Sequence, residues 1–138
     1  MAAGGVKPWL SEPDSWLHID DDGLVLAAVR AGVGWWRGYL GIHKAMDHNR
    51  LRGIRAHGGL TYKKAESPGS LTTTMLMALS VSGYEMPVFW IGFDYGHRGD
   101  MVPQQGWIEV GIYRDLEFVR GEIQRMADQV RALEAVSA

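Results

Sequence analysis

Two short stretches of the chain concentrate side chains that can do chemistry: His57-Gly58-Gly59-Leu60-Thr61-Tyr62, and Trp90-Ile91-Gly92-Phe93-Asp94-Tyr95-Gly96-His97-Arg98-Gly99-Asp100. In the second, Asp94, His97 and Asp100 follow at steps of three among glycines that permit tight turns. If the fold brings His57 beside them, two imidazoles and two carboxylates share one cleft. Such a set supports three chemistries. His57, Asp94, His97 and Asp100 could ligate a divalent, zinc-like ion with one position open for water, and an activated water implies hydrolysis. Without a metal, Asp94 or Asp100 could fix the tautomer of a histidine that acts as general base or hydrogen-bonding reader. In the third case the Gly58 and Gly59 amides, Thr61, Tyr62 and Arg98 hold a phosphate or other small anion with no turnover, Arg98 being the charge anchor.

The spacing matches no established metal or nucleophile motif, and Gly58-Gly59 is neither a P-loop nor a dinucleotide fingerprint. Taken singly, Asp94 and Asp100 also read as turn-capping carboxylates, and His57 as a hydrogen-bonded, half-buried histidine. Ser80 and Ser82 precede His97 in the chain, but nothing in their local sequence supports an exposed nucleophile. Asp20-Asp21-Asp22-Gly23 lacks the spacing and terminal glutamate of a calcium loop and reads as a turn.

Positioning these groups falls to a small set of elements. Residues 1–15, with two glycines and two prolines, read as an irregular arm before a single domain over 16–138. Aliphatic runs bounded by glycine turns predict a hairpin of strands at 24–30 and 35–42. A third extended piece is expected at 54–62, interrupted by Gly58-Gly59, then a polar loop to residue 70. Residues 71–82 mix threonines with a methionine- and leucine-rich run, and strand is favoured over helix there. The near-continuous apolar run 87–95 predicts a strand covered on both faces, and 107–113 alternates as a further strand. Leu116, Val119, Ile123, Met126, Val130 and Leu133 recur at three- and four-residue steps, which predicts a C-terminal amphipathic helix with Asp115 as its cap. The fold class is therefore α+β: an antiparallel sheet of about five strands with the C-terminal helix packed on one face.

The chain has 138 residues, about one domain's worth, and 46% of them are apolar, which is too many for a disordered protein. It contains no cysteine, which excludes disulfides, zinc ribbons, iron–sulfur clusters and thiol nucleophiles. A formal charge of -2 gives no global field for nucleic acid or anionic lipid, so any such contact must be local. One local field exists. Residues 43–64 carry six Lys and Arg side chains against Asp47 alone, whereas residues 8–29 carry five acids and no Lys or Arg; the two could face each other or be ordinary solvated faces. No apolar run has the length of a signal peptide core or membrane span, so a cytoplasmic location is expected. Six tryptophans either fill the small core or surround a pocket or partner surface.

One resemblance adds to this reading. Gly38-Tyr39-Leu40-Gly41-Ile42, His57-Gly58-Gly59-Leu60-Thr61-Tyr62, Gly92-Phe93-Asp94 with His97 and Gly99-Asp100, and Tyr113-Arg114-Asp115-Leu116 with Phe118, Val119 and Glu122 occur in this order. Together they resemble a family of small uncharacterised proteins of bacteriophages and bacteria, over residues 24–133. Tyr95 stands where many members have cysteine, and residues 43–52 replace a segment that usually contains His-Pro and paired aspartates. The resemblance implies a viral or prophage origin, in a host cytoplasm, and supplies no activity. The leading expectation is a stoichiometric binding protein holding a small anionic ligand, such as a nucleotide-like one, or a host protein around residues 57–62 and 94–100. The alternative is a metal-assisted hydrolase using His57, Asp94, His97 and Asp100, with a divalent metal as the cofactor. A third reading is a partner-binding or homo-oligomeric module working through tryptophans and the C-terminal helix.

Overall fold

In a computed structural model of the protein, residues 15–30, 36–43, 51, 53–56, 59–83, 86–94 and 116–137 are described, with side chains of the last helix to Leu133. The expected arm, the strand at 107–113 and the Asp115 cap lie outside them, apart from residue 15 of the arm. Five strands, β1 (Ser15–Ile19), β2 (Val25–Arg30), β3 (Trp36–Ile42), β4 (Tyr62–Lys64) and β5 (Phe89–Asp94), form one antiparallel sheet in the order β1-β2-β3-β5-β4. Two helices complete the described elements: α1 (Thr73–Ser80) and α2 (Leu116–Ser137).

Strand alternation builds a core on each side of the sheet. Leu26, Ala28, Trp36, Leu40, Ile42, Phe89, Ile91 and Phe93 pack with Val119, Ile123, Met126, Ala127 and Val130, the predicted apolar stripe of α2. On the other face Val25, Ala27, Val29, Tyr39 and Trp90 pack against Leu71 and against Met75 and Leu79 of α1. β5 is thus covered on both faces, as its apolar run predicts. Each fully buried side chain such as Ile123 or Leu40 contributes about 1.5–3 kcal/mol of transfer free energy, so both layers matter to stability.

Residues 71–82 do not form the expected strand. Thr72 adopts an extended backbone and its side chain accepts a hydrogen bond from the Met75 amide at 3.1 Å, the geometry of a helix N-cap. Leu71, Met75 and Leu79, four residues apart, then turn one side of α1 into the second core. The expected strand over 54–62 is also displaced. Ile54 is buried in the α2-side core, while regular pairing begins only at Tyr62 and continues through Lys64, inside the stretch expected to be a loop. β1 has no counterpart among the expected strands; it pairs with β2 through Trp16↔Ala28 and His18↔Leu26.

Glycine and aromatic residues exchange places across β3 and β5. Gly38 lies opposite Phe93, and Gly92 lies opposite Tyr39. A Cβ on Gly92 would sit 2.4 Å from the Tyr39 ring, and one on Gly38 would sit 2.6 Å from the Phe93 ring. Each ring fills the space that its partner's missing side chain leaves. Gly121, inside α2, is different: an added Cβ would meet nothing closer than the Arg125 guanidinium at 3.7 Å. Glycine there costs about 0.5–1 kcal/mol relative to alanine, with no steric demand from the core.

The turn between β1 and β2 is tied to α2. Arg131 donates to Asp20 at 2.5 Å and to Asp22 at 2.6 and 3.1 Å, and Asp22 also accepts from the Leu24 amide at 3.3 Å. The guanidinium, chiefly by hydrogen bonding, holds the Asp22 carboxyl below the usual carboxylate range and is itself held further toward its charged form. Among the described residues the Asp20 and Asp22 carboxylates of this turn are paired with a helix arginine, while His43, at the start of the basic stretch, lies with its Nε2 2.5 Å from the Gly23 carbonyl oxygen.

Candidate functional site

The two chemistry-bearing stretches meet at the β4–β5 junction. Thr61 donates its amide to the Gly92 carbonyl at 2.8 Å, and the next residue, Tyr62, is in register with Gly92. Asp94 ends β5 directly opposite Arg37 of β3. Between them lies a cleft of about 200 Å³ lined by Arg37, Tyr39, Thr61, Tyr62, Phe93 and Asp94.

Its aromatic wall is fixed before any ligand arrives. The Tyr39 and Tyr62 rings meet edge to face, with centroids 5.8 Å apart. Tyr39 Oη lies 2.8 Å from Ser70 Oγ, and Tyr62 Oη donates to the Glu66 carbonyl at 2.7 Å. Burial, reinforced by the Glu66 carboxylate and Tyr39, raises the Tyr62 phenol above its ordinary value, so it stays a neutral donor. Lys64 Nζ lies 5.5 Å from the Tyr62 ring centroid, which adds a second positive charge near the wall. Arg37 is half-buried, and its guanidinium has neither a hydrogen bond nor an ion pair among the described residues.

Of the expected site residues, Thr61, Tyr62 and Asp94 line this cleft. Gly59 takes φ +86°, where side-chain-bearing residues are strained, and donates its amide to the Ala56 carbonyl at 2.9 Å. His57, Gly58, His97, Arg98 and Asp100 lie outside the described residues. The approach to His57 is held by α2: Gln129 accepts from the Arg55 amide at 2.6 Å and donates to the Arg55 carbonyl at 2.9 Å. Among the described residues no group of three or more His, Asp or Glu side chains is placed to hold a metal ion. Three of the four ligands in the metal reading are not among them. The Ser80 and Ser82 hydroxyls donate to the Met77 and Leu79 carbonyls and so are spent on their own helix.

Arg37 and Tyr39 were not among the expected site residues. Tyr39 sits inside Gly38-Tyr39-Leu40-Gly41-Ile42, and Arg37 is the lone charge in the strand Trp-Arg-Gly-Tyr-Leu-Gly-Ile. Their place beside Asp94 follows from β3 pairing with β5, a non-local contact that periodicity within either strand does not specify. No helix among the described residues is long and apolar enough to cross a membrane. Searches of family models, curated proteins and solved structures found no match to the chain.

Proposed function

We propose that the protein binds a small anionic ligand in the cleft between β3, β4 and β5, in the manner of a phage-type capture protein. The observation that carries this reading is Arg37, a half-buried guanidinium facing the cleft with no partner among the described residues. A charge held partly out of water without a partner is costly, and an anionic occupant removes that cost. Thr61 supplies a hydroxyl, the two tyrosine rings, set edge to face, supply an aromatic corner, and Asp94 accepts from a hydroxyl or amino group of the ligand. The described cleft falls below the roughly 300–1,000 Å³ usual for small-molecule sites, so it suits the charged head of a ligand rather than a whole nucleotide. The reading assigns the remaining contacts to His57, Gly58, His97, Arg98 and Asp100, since the expected Gly59 amide donor is engaged by the Ala56 carbonyl.

Thermal melts with inorganic phosphate and with a set of mononucleotides test it. A ligand at a hundred times its Kd should stabilise the protein by about 2.7 kcal/mol, and Arg37→Met should abolish the shift while keeping the fold. Flat melting curves with every anion, in wild type and variant alike, would remove the proposal. A fall in Tm on adding a chelator would instead direct attention to the hydrolase alternative with His57, Asp94, His97 and Asp100 as ligands.

A further inference from the structure

A second cleft, of about 340 Å³, lies on the opposite face of the sheet between β1 and α2, lined by Trp16, His18, Glu117, Arg120, Gly121 and Gln124. β1, the turn after it and α2 are held together at two points. Arg120 lies over the Trp16 ring at 5.0 Å, while Arg131, about 16 Å further along the helix axis, grips Asp20 and Asp22. Between these ties Gly121 leaves the floor without a side chain. The core does not demand glycine there, so the room it leaves in the cleft is what the residue supplies.

The charges define what fits. Glu117 and Arg120 are three residues apart on one helix, a spacing that suits an ion pair. Yet neither forms an ion pair or hydrogen bond with the other or with any described side chain. Arg120 instead lies over the indole, with its N–H donors left without an acceptor among the described residues. A ligand carrying both charges satisfies Glu117 and Arg120 together. The Trp16 and His18 rings are within 12° of parallel, and His18 Nε2 is held by Asp20 at 2.7 Å, so a flat aromatic flank is already oriented.

We propose that this cleft binds a free aromatic α-amino acid, with its carboxylate on Arg120, its ammonium group on Glu117, its ring along Trp16 and His18, and its backbone over Gly121. The volume suits one such molecule, at the lower end of small-ligand sites. This site is independent of the Arg37 cleft.

Isothermal titration of the full chain with L-phenylalanine, phenethylamine and 3-phenylpropionate tests the assignment, since each analogue lacks one charge. Phenylalanine should bind about tenfold more tightly than either analogue. Arg120→Gln should erase its advantage over the amine, and Glu117→Gln its advantage over the acid. Gly121→Leu should remove binding by filling the floor, and Gly121→Ala should raise Tm while weakening binding severalfold. Arg37→Met should change none of this. Equal affinities for the three probes, no binding of any, or undiminished phenylalanine binding by a folded Gly121→Leu protein overturns the proposal. Should Gly121→Leu fail to fold, the two charge variants decide it alone.

Discussion

Replacing Gly92 with alanine tests the packing that shapes the Arg37 cleft. The new methyl would lie 2.4 Å from Tyr39 Cδ1 and 2.8 Å from the Gly38 carbonyl oxygen, where ordinary contacts begin near 3.4 Å. The Tyr39 ring cannot retreat freely, because its hydroxyl is engaged with Ser70 and its edge meets Tyr62. Overpacking of this kind costs about 1–3 kcal/mol, and losing the Tyr39–Ser70 bond adds about 1 kcal/mol. A total near 2–4 kcal/mol should lower Tm by on the order of 10 °C in a domain of this size. Urea unfolding of Gly92→Ala, Tyr39→Ala and the double variant forms the assay. Tyr39→Ala alone should cost about 3–5 kcal/mol, as large aromatic truncations do. In its background the second substitution should lose most of its penalty, retaining only the part set by the Gly38 carbonyl, so the coupling should reach about 1–3 kcal/mol. Two penalties that add within about 0.5 kcal/mol would show that the ring does not occupy the glycine's space, and the account of the β3–β5 pair would fail.

Other perturbations probe the remaining ties. Arg131→Met should cost about 1–2 kcal/mol at neutral pH by urea unfolding, a modest figure because the pairs are partly solvated. Since the folded Asp22 carboxyl titrates below its usual 3.8, this stabilisation is present above that pH and lost as pH falls through the lowered value; the wild-type and variant stability curves should converge only in that acid range. Gln129→Leu should speed amide exchange at Arg55 and cost about 1 kcal/mol, whereas unchanged exchange there would show that the side chain does not hold that segment. Thr72→Ala should cost about 1 kcal/mol through the lost N-cap, measured by denaturation, and Thr72→Asn should restore most of it.

How far the fold was legible depends on where its information is stored. β2, β3 and β5 announce themselves because both of their faces are buried, and α2 because its stripe from Val119 to Val130 is one-sided. α1 was misread because its threonines weigh toward strand. Thr72 in fact caps the helix, while the Leu71, Met75, Leu79 spacing carries the helical signal. β1 was missed since Ser-Trp-Leu-His-Ile is short and its residues are only partly buried or exposed. The displaced strand at 54–62 has a tertiary cause: Gln129 takes up both backbone groups of Arg55, leaving them out of a ladder. At the site, Thr61, Tyr62 and Asp94 could be named from their phrases, but Arg37 could not. Its relevance appears only once β3 lies beside β5.

The exchange of small and large residues between β3 and β5 also works as a notched key. Sliding one strand by two residues would bring Tyr39 face to face with Trp90 and set Gly38 against Ile91, so two bulky rings would compete for one hollow while another stayed empty. Alignment is therefore written into the strands themselves rather than into the 43–88 connection between them. Arg37 and Asp94 are thus set facing each other by the two strands' own side chains, while the connection contributes β4 and α1, which wall the cleft and close the second core.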